Sequence, residues 1–322
     1  MAHVLVGGGT GFIGSALAQV LRARGDRVTL ISRTPGPGRI TWDDLRTGGL
    51  PACDAVVNLA GKHILNPARR WTAPYRDEVI RSRVETTTLL VDAINAAPNP
   101  PEVFVSTAGK CFYGTRDDVA ANAAADYPDL DEDSQPMGMD FPAELVGLWE
   151  RAADHLDTNR TRHVRLRIGL VLGAVHRQSM LSKLWRISAA RGLLPLVRLP
   201  FCLGIGAILG TGRQPFPWIH IDDMVGICLA VIDNPAAHGR YNCVAPGIVS
   251  NAEFTRRFAH HLRRPVVWSA PKALINALIG RERASILLEG QRVRPRRTLA
   301  MGYRFRFADI DTALDDLVQI TA

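Results

Sequence analysis

Residues 4–14 read VLVGGGTGFIG: an apolar, strand-like run breaks into glycines and then resumes as helical sequence. Phe12, Ile13, Ala16, Leu17, Val20 and Leu21 recur at the 3.6-residue spacing of one helix face. Strand, glycine turn and amphipathic helix in that order bring a helix N-terminus over backbone that carries no side chains. Such a turn cradles the pyrophosphate of a dinucleotide, whose charge rests on the helix end. Two registers overlap in the turn. Gly9, Gly11 and Gly14 spell G-x-G-x-x-G, whereas Gly8, Gly11 and Gly14 spell G-x-x-G-x-x-G, and the eleven residues alone do not choose.

The remainder of the first half repeats the alternation. Strands are expected at 27–32 (RVTLIS), 54–60 (DAVVNLA), 101–107 (PEVFVST) and 164–173 (VRLRIGLVLG), with helices at 75–97 and about 142–158. Near-continuous Val/Ile/Leu strands separated by helices predict a doubly wound parallel sheet covered on both faces, an α/β Rossmann domain. Residues 1–175 are assigned to it, with 213–245 returning to the sheet. Residues 176–212 and 246–322 form a smaller C-terminal α/β lobe. Within them, 179–192 reads as helix, 216–223 (FPWIHIDD) as a strand, and Ser250 as the cap of a helix; further helices follow at about 271–289 and 308–319.

The end of the second strand decides which dinucleotide. An acid there binds the ribose 2′-hydroxyl of NAD, and an arginine accommodates the 2′-phosphate of NADP. This chain places Ser32 and Arg33 at that point and has no carboxylate from Val28 until Asp43. A guanidinium pairs with phosphate where a carboxylate repels it, so NADP(H) is the expected cofactor.

The blocks GGGTGFIG, VVNLAG (56–61) and VFVSTAGKCFYG (103–114) resemble the extended and atypical short-chain dehydrogenase/reductases. SRTPGPGRITWDDL, ILNPARRW, EVIRSRVETT, PFPWIHIDD and LLEGQRVRPRRTLAMGYRF are similar, more narrowly, to the epimerase family 39U group and its SulA-like sugar-epimerase-type relatives. The resemblance runs over nearly the whole chain. It implies the register Gly8–Gly11–Gly14, with Thr10, Phe12 and Ile13 in the same turn, and Ser32 and Arg33 at the 2′-phosphate. It further implies Leu59 and Ala60 beside the adenosine and ribose, and cofactor contacts from Glu78, Arg83 and Val171. Read locally, Glu78 and Arg83 lie five residues apart on a helix and are equally well ordinary solvated charges.

Reductases of this kind exchange a proton through a Tyr-x-x-x-Lys pair while hydride moves at the nicotinamide. Four residues after Tyr75, Tyr113, Tyr127, Tyr241 and Tyr303 stand Val79, Asp117, Asp131, Ala245 and Phe307, so no tyrosine has the lysine. Aligning LWERAA with the segment after the family lysine puts Pro142 at the tyrosine position and Val146 at the lysine position, and the usual serine falls near Thr107 or Ala108. Thr107, at the end of its strand, and Tyr113, in the following loop that also carries Lys110, are the remaining catalytic candidates; Tyr113 reads more readily as a packing or substrate-shaping residue. His220 and Asp222, alternating on the expected strand, offer a second pair, with a helix cap (Asp222) and a satisfied core histidine (His220) as the competing readings. No histidine has metal spacing.

Two functions are therefore expected: an oxidoreductase acting on a small carbonyl or sugar-like substrate, or a non-catalytic NADP(H)-binding sensor or accessory subunit, for example of a mitochondrial complex. Segment 179–192, with Met180, Leu181, Leu184, Trp185 and Ile187 among Lys183, Arg186 and Arg191, reads either as a lid helix or as a basic amphipathic helix for a protein partner or membrane surface. The arginines at 292, 294, 296, 297, 304 and 306 read as a partner surface or a solvated face. The net charge of +8 is carried mainly by arginine, and no aromatic–basic interleaving points to nucleic acid. Five scattered cysteines without a C-x-x-C pair fit a reducing compartment, cytoplasm or mitochondrial matrix. The most apolar run, 193–209, is broken by Pro195, Arg198 and Pro200, so a soluble protein is expected.

Overall fold

The first strand, β1 (His3–Gly7), divides its side chains between two cores: Val4 and Val6 enter one, Leu5 the other. The same alternation holds in β2 (Arg27–Ser32), β4 (Ala55–Asn58) and β5 (Val103–Gly109), as it must where helices cover both faces of a sheet. The computed structural model describes residues 1–62, 64, 71–114, 127–138, 140–173 and 194–321. Seven parallel strands run in the order β12-β7-β5-β4-β1-β2-β3, where β3 is Arg39–Thr41, β7 Arg162–Ile168 and β12 Gly239–Cys243. Helices α1 (Phe12–Ala23) and α6 (Ile221–Asp233) bury Leu17, Leu21, Met224 and Cys228 on one face. Helices α2 (Trp42–Gly48) and α3 (Ala73–Ala96) bury Leu45, Leu90 and Ile94 on the other.

The C-terminal lobe is assembled from short pieces. Strand β8 (Leu170–Leu172) pairs with β11 (Trp218–His220), β9 (Ile208–Leu209) with β14 (Ser269–Ala270), β10 (Pro215–Phe216) with β13 (Val249–Ser250), and β15 (Arg292–Val293) with β6 (Asp129–Leu130). Its main core joins α7 (Asn251–His261) and α11 (Ile310–Thr321) through Phe254, Phe258, Ile310 and Leu314. Helices α4 (Phe141–Arg151), α5 (Leu194–Cys202), α8 (Lys272–Ile279), α9 (Arg281–Leu288) and α10 (Arg296–Ala300) complete the described elements. Ser250 caps α7 in a reciprocal capping box with Glu253, as its sequence predicts.

Several expectations are corrected. The strand at 164–173 is two strands, because Gly169 turns the chain out of the main sheet. A Cβ there would lie 2.7 Å from the Pro217 carbonyl oxygen, and the Leu170 amide donates to that same oxygen at 2.8 Å. The strand at 216–223 ends at His220, which caps α6, so Asp222 and Asp223 fall in the first turn of a helix. The helix at 142–158 closes at Arg151, and β3 and α2 had no counterpart in the sequence reading. Residues 179–192 lie outside the described residues. Among the described residues no helix is long and apolar enough to cross a membrane.

One buried polar cluster joins the sheet to the C-terminal segment. Arg167 on β7 makes a bidentate pair with Glu150 of α4, Nε to Oε1 at 2.7 Å and Nη2 to Oε2 at 3.0 Å, and both side chains are buried. Its Nη1 donates to the Tyr113 hydroxyl, which in turn donates to Asn242 Oδ1 at 2.8 Å. Asn242 Nδ2 donates to the Arg294 carbonyl, and Glu132 accepts from the Asn242 and Arg297 amides. Removing one partner of a buried pair strands the other charge. Glu150→Ala is therefore expected to destabilise the fold by about 3–5 kcal/mol, read as a lowered midpoint in denaturant with the slope unchanged.

On the same strand His163 stacks on Phe104, and its Nε2 lies 2.8 Å from Ser106 Oγ. Burial, with Arg165 adding to it, pushes the imidazole down to about 3 from an ordinary 6.5. The unfolded chain takes up this proton below pH 6.5 while the folded chain does not, so the contribution present above pH 6.5 is lost as pH falls from 6.5 towards 3. The limiting slope is about 1.4 kcal/mol per pH unit. His163→Asn should flatten the acid limb of unfolding free energy against pH, and an unchanged limb would refute the assignment.

Candidate functional site: a dinucleotide cradle at the switch point of the sheet

The strand order reverses at β1, and the crevice at the C-terminal edge there is where open α/β sheets hold ligands. Gly8 leaves β1 at φ 72°, a left-handed conformation that favours glycine. A Cβ on Gly8 would lie 2.7 Å from Leu59 C and O and from the Ala60 amide nitrogen; on Gly14 it would lie 2.4 Å from the Gly8 carbonyl oxygen. All of these are backbone atoms and cannot step aside. Gly9 meets chiefly the flexible tip of Leu30, at 2.5 Å, with the Val6 carbonyl oxygen at 3.1 Å, and Gly11 meets only the Gly8 oxygen, at 3.1 Å. The close approaches thus select the register Gly8–Gly11–Gly14. Helix α1 starts at Phe12 with Gly11 as a cap that has no side chain and no acid in its first turn. The amides of Phe12, Ile13 and Gly14, beside Thr10, have no intrahelical acceptor and supply the donors an anion needs.

Asn58 at the end of β4 braces this crevice and was not singled out in the sequence. Its side chain accepts from the Ala60 amide at 3.1 Å and donates to Thr87 Oγ1 at 3.0 Å, and the Leu59 amide donates to the Gly7 carbonyl. The signal was the lone asparagine in the apolar run VVNLAG.

At the end of β2, Ser32 is buried and its hydroxyl donates to the Thr34 carbonyl. Arg33 is exposed and has no ion-pair partner among the described residues. The nearest acids along the chain are engaged in α2: Asp43 pairs with Arg46 at 2.6 Å, and Asp44 closes a capping box with Thr41. The Arg33 guanidinium is thus available to a phosphate. Glu78 pairs with Lys62 in the loop after β4. Arg83 is buried; its guanidinium donates to the Lys62 and Val79 carbonyls and lies over the Trp149 ring. Burial pushes it down to about 10, so it stays charged at neutral pH. Both residues therefore fasten the Gly61–Lys62 loop to α3 at the edge of the crevice. Val171 in β8 approaches from the other side, two residues before Gly173, whose Cβ would meet the Phe12 ring at 3.1 Å.

The catalytic candidates are placed differently. Thr107 is buried and its hydroxyl donates to the Asn58 carbonyl at 2.7 Å. Tyr113 is buried with its hydroxyl between Arg167 and Asn242, and burial raises the phenol above its ordinary value although Arg167 opposes the rise. A catalytic tyrosine needs the opposite shift. Pro142 and Val146 are both buried, and Val146 Cγ2 stands 3.4 Å from where a Gly109 side chain would begin. The end of β5 thus faces an aliphatic wall. His220 does not face the Asp222 carboxylate: its Nδ1 accepts from the Asp222 amide, its Nε2 lies 3.4 Å from Asp316 Oδ2, its ring packs on Phe307, and burial holds its pKa below the usual value. Asp222 pairs with Arg306, and Asp223 accepts from the Arg306 and Phe307 amides. Lys110, next to Gly109, is buried and donates to Gln291 Oε1 at 2.7 Å.

Sheet, switch point and cradle define a dinucleotide-binding α/β protein. The chain belongs to the NAD dependent epimerase/dehydratase family, whose model matches residues 4–244; a domain of unknown function, DUF1731, matches residues 270–317. It is 48% identical to the epimerase family protein SDR39U1 of Bos taurus over 317 residues, 98% of this chain and 99% of that one. An epimerase family protein of Staphylococcus saprophyticus is 30% identical over 325 residues, 99% of this chain and 100% of that one. The fold is similar to the crystal structure of human epimerase family protein SDR39U1 (isoform 2) with NADPH, with TM-score 0.87 and 47% identity over 98% of this chain and 99% of that one. The family resemblance carried by the glycine and C-terminal blocks is borne out.

The cradle makes its own prediction. Gly14→Ala places a methyl group against the Gly8 carbonyl and should abolish dinucleotide binding in a fluorescence titration, whereas Gly11→Ala, which meets one atom, should weaken it only in part.

Proposed function

We propose that this chain is an NADP(H)-binding protein of the epimerase-type short-chain dehydrogenase/reductase group, built to hold the cofactor without the usual tyrosine–lysine proton relay. The cofactor reading rests on the cradle and the unpaired Arg33, and is supported by NADPH in the human relative's crystal structure. The second half rests on the sequence, in which Pro142 and Val146 fall at the family's tyrosine and lysine positions, and is supported by Val146 Cγ2 lying 3.4 Å from the point where a Gly109 side chain would begin. Such a protein responds to the redox state of NADP(H) or serves as an accessory subunit.

A second reading, hydride transfer to a small carbonyl or sugar-like substrate, is favoured by one feature. An open cavity of about 660 Å³ in the C-terminal lobe is lined by Tyr127, Arg213, Glu253, Arg256, Arg292 and Arg294, the last two paired with Asp129, a size and polarity suited to a sugar derivative.

Titration should give NADPH an affinity at least about tenfold above NADH, a difference of about 1.4 kcal/mol, and Arg33→Asp should erase it. Equal affinities for the two in the unaltered chain would sink the NADP reading. Incubation with NADPH and a panel of aldehydes, ketones and keto-sugars should leave the nicotinamide absorbance unchanged. Turnover that Arg256→Glu suppresses through KM would establish the second reading instead.

A further inference from the structure

Residues 254–281 contain Arg256, Arg257, Arg263, Arg264, Lys272 and Arg281 and no Asp or Glu. The same stretch exposes much of the chain's protruding apolar surface. In α8 only Ile275 is buried, in a cluster with Ala270, Ala284 and Leu288 against which Ala207 and Leu209 pack, while Ala273, Leu274, Ala277 and Leu278 are exposed. A surface helix ordinarily turns polar residues to solvent; this one is apolar on both sides. Val267 (74% exposed), Leu278 (70%) and Trp268 (41%) stand out furthest on this stretch. Strands β9 and β14 run parallel, with Ile208 beside Ser269 and the Ile208 amide donating to the Trp268 carbonyl, and Leu203 and Ile205 just before β9 are also exposed.

The rim is cationic. Arg263, Arg264 and Arg281 are exposed without ion-pair partners among the described residues, Lys272 stands 3.8 Å from Glu289, and the nearest following acid, Glu282, is paired with Arg76. Protruding aliphatic side chains, a half-exposed tryptophan and an acid-free basic border are together the chemistry of an anionic lipid surface. A second copy of the chain fits less well, since a two-fold interface would set these arginines against themselves.

We infer that the exposed face of α8, with Val267 and Trp268, is a docking surface for anionic membrane, one that uses none of residues 174–193. The apolar residues enter the headgroup boundary and the arginines meet lipid phosphates, while the cofactor crevice is left outside the contact.

The test is co-sedimentation of the full chain with vesicles of phosphatidylcholine alone or mixed with phosphatidylglycerol, at low and high salt. Binding is expected only to the anionic vesicles. It should weaken with salt, and by about tenfold or more in Leu274→Glu/Leu278→Glu and in Arg263→Glu/Arg264→Glu, with NADPH affinity and circular dichroism unchanged. A blue shift of tryptophan fluorescence on binding should disappear in Trp268→Phe. Failure to sediment with anionic vesicles, or equal binding by both double variants, would overturn the inference. So would a dimer that Leu274→Glu/Leu278→Glu dissolves in a chain that ignores vesicles, or an acidic protein that binds this face in such a chain.

Discussion

The pair between Arg167 and Glu150 sets the geometry of the whole cofactor edge. Two opposite charges removed from water are tolerable only when each meets the other with good geometry and the remaining donors are engaged. Here the guanidinium also donates to Tyr113 and lies over the Phe112 ring at 3.3 Å. Fixing α4 to β7 fixes what α4 presents to the end of β5, and beside Gly109 it presents Val146. It also removes Tyr113 from chemistry, because the phenol becomes the link through Asn242 to the C-terminal segment.

Cofactor capture and proton transfer are thereby separated in one crevice. The capture side is built from backbone: the turn at Gly8, its contact with Leu59 and Ala60, and an uncapped α1. Backbone donors are fixed by the fold and keep their direction whatever the neighbouring side chains are. Proton transfer needs particular side chains with shifted pKa values, and the family alignment puts Pro142 and Val146 at the tyrosine and lysine positions, with the serine position near Thr107 or Ala108. A fold of this class can hold its cofactor through the backbone cradle independently of which side chains line the rest of the crevice.

What the sequence revealed follows the range of the forces involved. Strand β2, helix α3 and the α7 cap are set by apolar periodicity and by a Ser-x-x-Glu box, all within a few residues. The glycine cradle was legible as a motif, but its register needed a partner about fifty residues away, the Leu59–Ala60 backbone. Gly169 was illegible for the same reason: the crowding that bends 164–173 comes from Pro217. Thr107 was read as a donor because it ends a strand at the right edge. Only the neighbouring strand shows that its hydroxyl belongs to Asn58. His220 and Asp222 seemed to share a strand face because nothing local marks the start of α6; the histidine itself is the cap.

The arginine excess, uniform in the sequence, becomes uneven in space. Arg160 donates to the Asn95, Ala97 and Pro98 carbonyls and closes the C-terminal end of α3; Arg162 does the same for α6 through Val231, Ile232 and Ala237. These cations answer helix dipoles. Arg292, Arg294 and Arg296 face Asp129 and Asp131 across the β15–β6 pairing, with Asp133 also paired to Arg296, so the C-terminal arginine run is a seam within the molecule. Those charges are balanced internally, whereas Arg33 at the crevice and Arg263, Arg264 and Arg281 near α8 are exposed without ion-pair partners among the described residues. The first is a point charge placed for a phosphate, and the others are a border around exposed aliphatic side chains. The arginines of this chain thus serve several distinct ends: they close helix termini, seal the β15–β6 seam, and stand exposed beside the crevice and α8.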